Sequence, residues 1–235
     1  MALISITGRL GSGKDTVGSI IQFLLHTEGV WTEEYFQRHS KSKNKPYWQN
    51  YWEVKKFAGK LKQIATLLTG IPVEKWEDQE FKKTCMSEDW TYTKQVMECD
   101  SNNQDGFMDL PLTYREFLQK LGTEAIRDGL HTNTWVNALF ADYTLNRKKV
   151  EDEEYATEYP NWIITDTRFP NEFDAIKKKG GICIKVLREN NTVDLHASET
   201  ALDSYKFDYV LNNSGTLEDL VEEVKNMLIH FKLLK

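Results

Sequence analysis

Cysteine is scarce in this chain of 235 residues, with three in all: Cys85, Cys99 and Cys183. That number, without ligand-like spacing to histidine, excludes a disulfide scaffold and a zinc module. The thiols read as free, in a cytoplasmic protein, and the lone histidines read as structural or surface residues. Long apolar runs are absent too: none approaches the roughly 18 residues that a membrane span requires. The first apolar stretch starts at residue 2, so the expectation is a protein with no targeting segment and no membrane partner. Nor is there an excess of positive charge. Lys and Arg total 30 against 36 Asp and Glu, for a net charge of −6. Residues 71–110 account for the imbalance, holding ten acidic residues and four lysines. A chain without a global basic face does not suit duplex nucleic acid, so no nucleic-acid partner is expected. A small phosphorylated substrate needs only a local cluster of cations. What remains is ordinary for a soluble protein, 40 % hydrophobic and 28 % charged. Its length fits one α/β domain with an insertion or a small lid.

The informative stretch lies near the amino terminus. Ala2-Leu3-Ile4-Ser5-Ile6-Thr7 is short, apolar and partly β-branched, which predicts a buried strand. It runs into Gly8-Arg9-Leu10-Gly11-Ser12-Gly13-Lys14-Asp15-Thr16, with the G-x-x-x-x-G-K spacing of a phosphate-binding loop. A backbone that curls its N–H groups around a polyphosphate needs glycine conformations. The following helix aims its positive end at the anion, and Lys14 adds a point charge. Val17, Ile20, Ile21, Leu24 and Leu25 supply one apolar face, predicting a helix from about Lys14 to His26. The residue after Lys14 is Asp15, where Ser or Thr commonly holds Mg²⁺. Either Thr16 supplies the hydroxyl, or Asp15 meets the metal directly or through water.

Further along, Lys41–Pro46 reads as a loop and Trp52–Phe57 as a second strand. Leu61, Ile64, Ala65, Leu67 and Leu68 predict a helix stopped by Gly70 and Pro72. The acidic 71–110 segment reads as an insertion, periodic only around Trp76 to Met86, with a turn or loop at Ser101–Gly106. Thr113 and Glu116 form a capping box that opens a helix through Ile126, and a second helix is expected from about Thr134 to Leu145. Lys148–Glu154 reads as a solvated loop. Trp162–Thr165, Ile182–Leu187 and Tyr209–Leu211 predict strands, with a helix from Pro170 to Lys179 between the first two. Leu217 to Phe231 predicts a closing amphipathic helix capped by Thr216 with Asp219. Strands alternating with helices imply a parallel sheet covered on both faces.

Ligands of such sheets gather at the carboxyl ends of the strands. Asp166, following the apolar Trp162–Thr165, sits where a carboxylate can hold Mg²⁺ through water or orient the loop. Arg168 could fork onto a phosphate, or pair with Glu172 as an ordinary helix-start residue. Arg115, Gln119 and Gly122 fall at helical spacing on one face, with Thr123 and Arg127 on an adjoining line. A mid-helix Gly122 suggests close approach by a backbone or a ligand. On spacing alone, a solvated polar face is the better reading of these residues. Arg188 ends another strand, where a base or phosphate could lie, and His196 and Glu199 follow.

Taken together, the chain resembles the bacteriophage-type deoxynucleoside monophosphate kinases of the P-loop nucleoside monophosphate kinase group. The resemblance rests on Gly8–Thr16, Phe57-Ala58-Gly59-Lys60-Leu61-Lys62, Gln119–Glu124 with Trp135-Val136, and Asp166–Glu172. His196–Glu199 and Asp208–Asn213 complete it. Residues 28–50 and 71–110 match weakly. The Gly-Lys-Asp-Thr form of the loop occurs in that family. The resemblance implies one P-loop kinase domain over 1–235, with a central parallel sheet of about five strands, the 71–110 insertion and a lid over 188–205. It implies transfer of the γ-phosphate of ATP, with Mg²⁺, to a deoxynucleoside 5′-monophosphate. Gly8, Arg9, Leu10, Gly11, Ser12, Gly13 and Lys14 would hold ATP, with Arg188 at its base or phosphates. Asp15, Thr16 and Asp166 would surround the metal, and Lys14, Asp166 and Arg168 would serve catalysis. Lys60, Arg115, Gly122, Thr123, Arg127, Trp135 and Arg168 would bind the acceptor, Trp135 by stacking. Another small-molecule P-loop kinase, of the dephospho-coenzyme A or phosphomevalonate type, is the nearest alternative, and a P-loop ATPase or switch the next. The closing helix or the insertion could pair two subunits.

Overall fold

In a computed structural model the described residues are 2–40, 52–97, 105–149, 155–188 and 200–235. They form two compact units, 1–57 with 136–235, and 58–135.

The first unit is built on a five-stranded sheet. Its strands are β1 (Leu3–Thr7), β2 (Trp52–Lys55), β7 (Asn161–Ile164), β8 (Ile182–Leu187) and β9 (Tyr209–Asn212), in the order β2-β7-β1-β8-β9. All four pairings are parallel. This is the expected architecture, with β1 central and buried along its whole length. Alternation along β1 sends Ile4 and Ile6 to one face. There they join Val17, Ile20, Ile21 and Leu24 of α1 (Lys14–His26). Val221, Val224 and Leu228 of the closing helix, Leu217–His230, complete that core. Trp162 points the other way, stacked on Phe140 and 4.7 Å from Tyr143. The closing helix carries the predicted capping box, Thr216 with Asp219.

The second unit contains α3 (Ala58–Thr69), three short 3₁₀ turns, α4 (Tyr114–Gln119) and the start of α5 (Thr134–Phe140), α2 being Glu33–Ser40 in the first unit. Ala65, Trp76, Met86, Leu112 and Phe117 form its own core. The Thr113–Glu116 capping box is present.

Several sequence expectations shift. The acidic segment contains a hairpin that hydrophobic periodicity does not mark, β3 (Thr91–Met97) against β4 (Asp105–Pro111). Asp105 and Gly106, expected in a loop, are paired in that ladder. A second hairpin joins β5 (Asn146–Lys149) to β6 (Tyr155–Glu158), so part of the charged run expected as loop is strand. Both ladders are held by backbone pairing between neighbours, which leaves no apolar alternation to read. Trp52–Phe57 extends only to Lys55 as strand, because the Phe57 amide donates to Asp166 instead. The helix expected to reach Leu145 stops at Phe140, where Asp142 and Tyr143 tighten to i→i+3 bonds and Tyr143 turns inward. The Lys41–Pro46 loop, Cys99, His196, Glu199 and most of the expected 188–205 lid lie outside the described residues. No helix among the described residues is long and apolar enough to cross a membrane.

Candidate phosphate-binding site

The loop between β1 and α1 has the backbone its glycines foretell. Gly11 and Gly13 take left-handed conformations, φ 77° and 91°, which side chains resist. A Cβ on Gly13 would also come within 2.4 Å of Asn213 Nδ2, and one on Gly8 within 2.6 Å of both Ser12 Oγ and the Val186 carbonyl. Gly13 therefore has a steric reason as well as a conformational one, Gly8 a steric one and Gly11 a conformational one. The loop is braced from β9 and β8. Asn213 Nδ2 donates to the Ser12 carbonyl at 2.8 Å, and Arg188 donates to the Gly11 carbonyl at 3.3 Å. Lys14 curls over the loop and donates to the carbonyls of Gly8 and Arg9.

Asp15 does not stand alone. Its carboxylate accepts from the Thr165 hydroxyl at 2.6 Å and from Lys56 at 3.1 Å to each oxygen. Partial desolvation pushes its pKa up. The Thr165 hydrogen bond, the paired Lys56 ammonium and the nearby Lys14 charge outweigh that and hold it below its ordinary value. Thr16 is exposed at the first turn of α1. Asp166, just past β7, accepts the Phe57 amide at 2.8 Å. Arg168 opens the approach to α6 (Pro170–Lys178), whose start is organised by Glu172. That carboxylate is buried and accepts the backbone N–H groups of Arg168 and Phe169, at 2.9 and 3.1 Å. Gly8, Arg9, Arg168 and Lys185 share one hollow at the carboxyl ends of β1, β7 and β8. Cys183, in mid-sheet, is the opposite case: burial pushes its thiol up to about 12, which disfavours the thiolate.

The remaining predicted residues lie in the second unit. Lys60 is in the first turn of α3, and Arg115 donates to Gln79 at 3.1 Å. The single regular helix expected through Arg127 is not formed. After Gln119 the chain widens into a π-helical stretch, Lys120–Asp128, and leaves it with i→i+5 bonds from Gly129 to Glu124 and His131 to Ile126. The wider turn changes which residues share a side: Gly122 and Arg127 are the buried pair, and Thr123 is half-exposed. The close neighbour that Gly122 admits is a side chain, Leu61, whose Cδ2 would lie 2.7 Å from an added Cβ. Trp135 is buried, and its indole N–H donates to the Gly122 carbonyl at 2.8 Å.

Sequence reasoning missed Lys56 and the bond from Thr165 to Asp15, and read Glu172 only as a side-chain pair for Arg168, not as the acceptor of its backbone N–H. Thr165 and Glu172 flank Asp166 and Arg168 in the chain, and Lys56 precedes the Phe57 that pairs with Asp166. Position at a strand's carboxyl end was the available signal.

A family model described as deoxynucleotide monophosphate kinase matches residues 55–224. The deoxynucleotide monophosphate kinase of Enterobacteria phage T4 is 31 % identical over 115 residues, 48 % of this chain and 44 % of that protein. A protein of Acanthamoeba polyphaga mimivirus is 34 % identical over 121 residues, 48 % of this chain and 59 % of its own. The deoxynucleotide monophosphate kinase of Escherichia phage RB69 is 25 % identical over 115 residues, again 48 % and 44 %. The aligned region thus spans about half the length of these relatives. The match to the family model runs from the last residue of β2 through the π-helical stretch and Asp166–Glu172 into the closing helix, and on it the chain belongs to the deoxynucleotide monophosphate kinase family.

Proposed function

We propose that this protein transfers the γ-phosphate of ATP to a deoxynucleoside 5′-monophosphate, giving the diphosphate and ADP. The observation that carries the reading is the loop itself. Its left-handed glycines, its packing against Asn213 and Val186, and Lys14 folded over its carbonyls make a cradle for a polyphosphate at the mouth of a parallel sheet. On binding, Lys14 exchanges carbonyl partners for phosphate oxygens. Asn213 and Arg188 hold the loop by its Ser12 and Gly11 carbonyls.

The acceptor phosphate is an oxyanion at neutral pH, so no strong general base is required. The work is to align two polyanions and neutralise the charge that develops on the transferred group. Arg168 is assigned to that charge, its backbone fixed by Glu172, while Lys60, Arg115, Gly122, Thr123, Arg127 and Trp135 are assigned to acceptor recognition. The donor set suits Mg²⁺, a hard cation that takes one or two carboxylates and completes its shell with phosphate and water. Asp15, Thr16 and Asp166 are the residues that would hold it, and when bound it neutralises charge on the phosphates. Asp15 reaches that role already balanced by Lys56 and Thr165.

The test is ADP release measured across the deoxy- and ribonucleoside monophosphates. Acceptor-dependent ADP formation with at least one deoxynucleoside monophosphate is expected, and Lys14→Ala should abolish it while preserving the unfolding temperature. No response to any of them would remove the proposal. ADP formation that ignores the acceptor would point to an ATPase instead.

A further inference from the structure

Beside the loop, the hollow at the ends of β1, β7 and β8 is lined by Arg9, Arg168 and Lys185 together with one carboxylate, Asp203. Lys185, inside the sheet on β8, donates to Asp203 Oδ1 at 2.9 Å. Arg9, on the loop, meets the other oxygen at 3.6 Å. Cations from two different elements thus converge on two oxygens of one anion, which is how a phosphoryl group is gripped. The Lys185 hydrogen bond, with Arg9 adding to it, holds Asp203 below its ordinary pKa, so it stays a carboxylate. Thr7, which lines the same hollow, is only 8 % exposed, yet its hydroxyl has no hydrogen-bond partner among the described residues. A buried hydroxyl without a partner costs free energy unless a ligand completes it.

We infer that Lys185 and the Thr7 hydroxyl form, with Arg9 and Arg168, a phosphoryl subsite separate from the loop cradle, which Asp203 fills as an internal stand-in until substrate displaces it. The inference rests on the kinase reading for its ligand, which is either the terminal phosphate of the donor or the phosphate of the acceptor. In both cases a tetrahedral oxyanion takes the place of the Asp203 carboxylate, accepts hydrogen bonds from Lys185 and Thr7, and releases Asp203 to solvent.

The experiment compares wild type with Lys185→Met, Thr7→Val and Asp203→Asn, after unfolding curves confirm that each folds. Affinities are measured for a non-hydrolysable ATP analogue, for ADP and for the accepted deoxynucleoside monophosphate. Loss of one charge-assisted hydrogen bond should weaken the ligand of this subsite about tenfold. If the donor supplies the group, Lys185→Met and Thr7→Val weaken the ATP analogue and spare ADP. If the acceptor supplies it, they weaken the monophosphate and spare the analogue. Asp203→Asn should tighten the same ligand several-fold, and Lys185→Arg should restore binding. Unchanged affinities in both Lys185→Met and Thr7→Val would overturn the inference, as would Asp203→Asn weakening binding as Lys185→Met does. Inorganic phosphate, followed by chemical shift at the Thr7 and Lys185 amides, tests the hollow without any assumption about the reaction. Absent acceptor-dependent ADP release from wild type would count against the kinase reading alone, whereas unmoved amides would count against the subsite alone.

Discussion

A carboxylate placed immediately after the loop lysine would repel a bound polyphosphate unless its charge were met, and at Asp15 it is met twice. Lys56 neutralises it and the Thr165 hydroxyl fixes its direction, so the loop's field stays positive where phosphate would lie. Because Thr165 supplies the largest of the effects that lower the Asp15 pKa, Thr165→Val should raise that value. A carboxyl-carbon NMR titration of both proteins measures this, and coincident curves would show that the hydroxyl is indifferent to the charge. The sign for stability follows. The folded-state pKa is depressed, so the stabilisation from Asp15 is complete above the value of the unfolded carboxyl and drains away as pH falls through the folded-state value. Acid unfolding of Thr165→Val should accordingly depend less on Asp15 than that of wild type. Sequence reading picked out Asp15 as unusual but not its partners, which lie 41 and 150 residues away.

At the scale of elements, α6 shows how one buried side chain sets a functional turn. Pro170 starts the helix without needing a hydrogen bond for its nitrogen, and Glu172 gathers the two preceding amides. Glu172→Ala leaves those amides without their carboxylate and should cost about 1–3 kcal/mol in urea unfolding. Under the proposed kinase function it should also lower the rate of transfer, through a displaced Arg168 backbone. A variant with unchanged stability would show that water replaces the carboxylate without loss. Helix starts of this kind were legible in the chain, since Thr113–Glu116, Pro170 and Thr216–Asp219 carry local chemistry that fixes them. The π-helical stretch was not legible. The 122–127 segment has good α-helical spacing, and what widens it is packing: Leu61 against Gly122, and the Trp135 indole on the Gly122 carbonyl. The hairpins β3–β4 and β5–β6 were missed for the reason already given, that their strands pair with each other and carry no alternating apolar face.

For the whole molecule, the parallel sheet was readable because each of its central strands is a short apolar run followed by a turn, and parallel strands require crossovers. The division of the chain was less readable. The acidic composition of 71–110 suggested an insertion there, while the compact second unit is 58–135, because its core draws on Ala65 of α3 and Phe117 of α4 on either side of the acidic stretch. Composition marks charge, and the boundary is set by which apolar residues close on one another. That core has a fully buried centre, Trp76, stacked on Phe117 and edge-on to Tyr114 and Phe81. Trp76→Ala removes the largest side chain in it and should destabilise the unit by about 3–5 kcal/mol. Since β1, β7 and β8 close a separate core around Ile4, Ile6 and Ile163, native-state hydrogen exchange should show the loss confined to amides of 58–135. Protection at Ile4, Ile163 and Ile184 should hold at its wild-type level. If those sheet amides lose protection in step with Phe117 and Leu112, the two cores unfold as one, and the second unit has no stability of its own to lose.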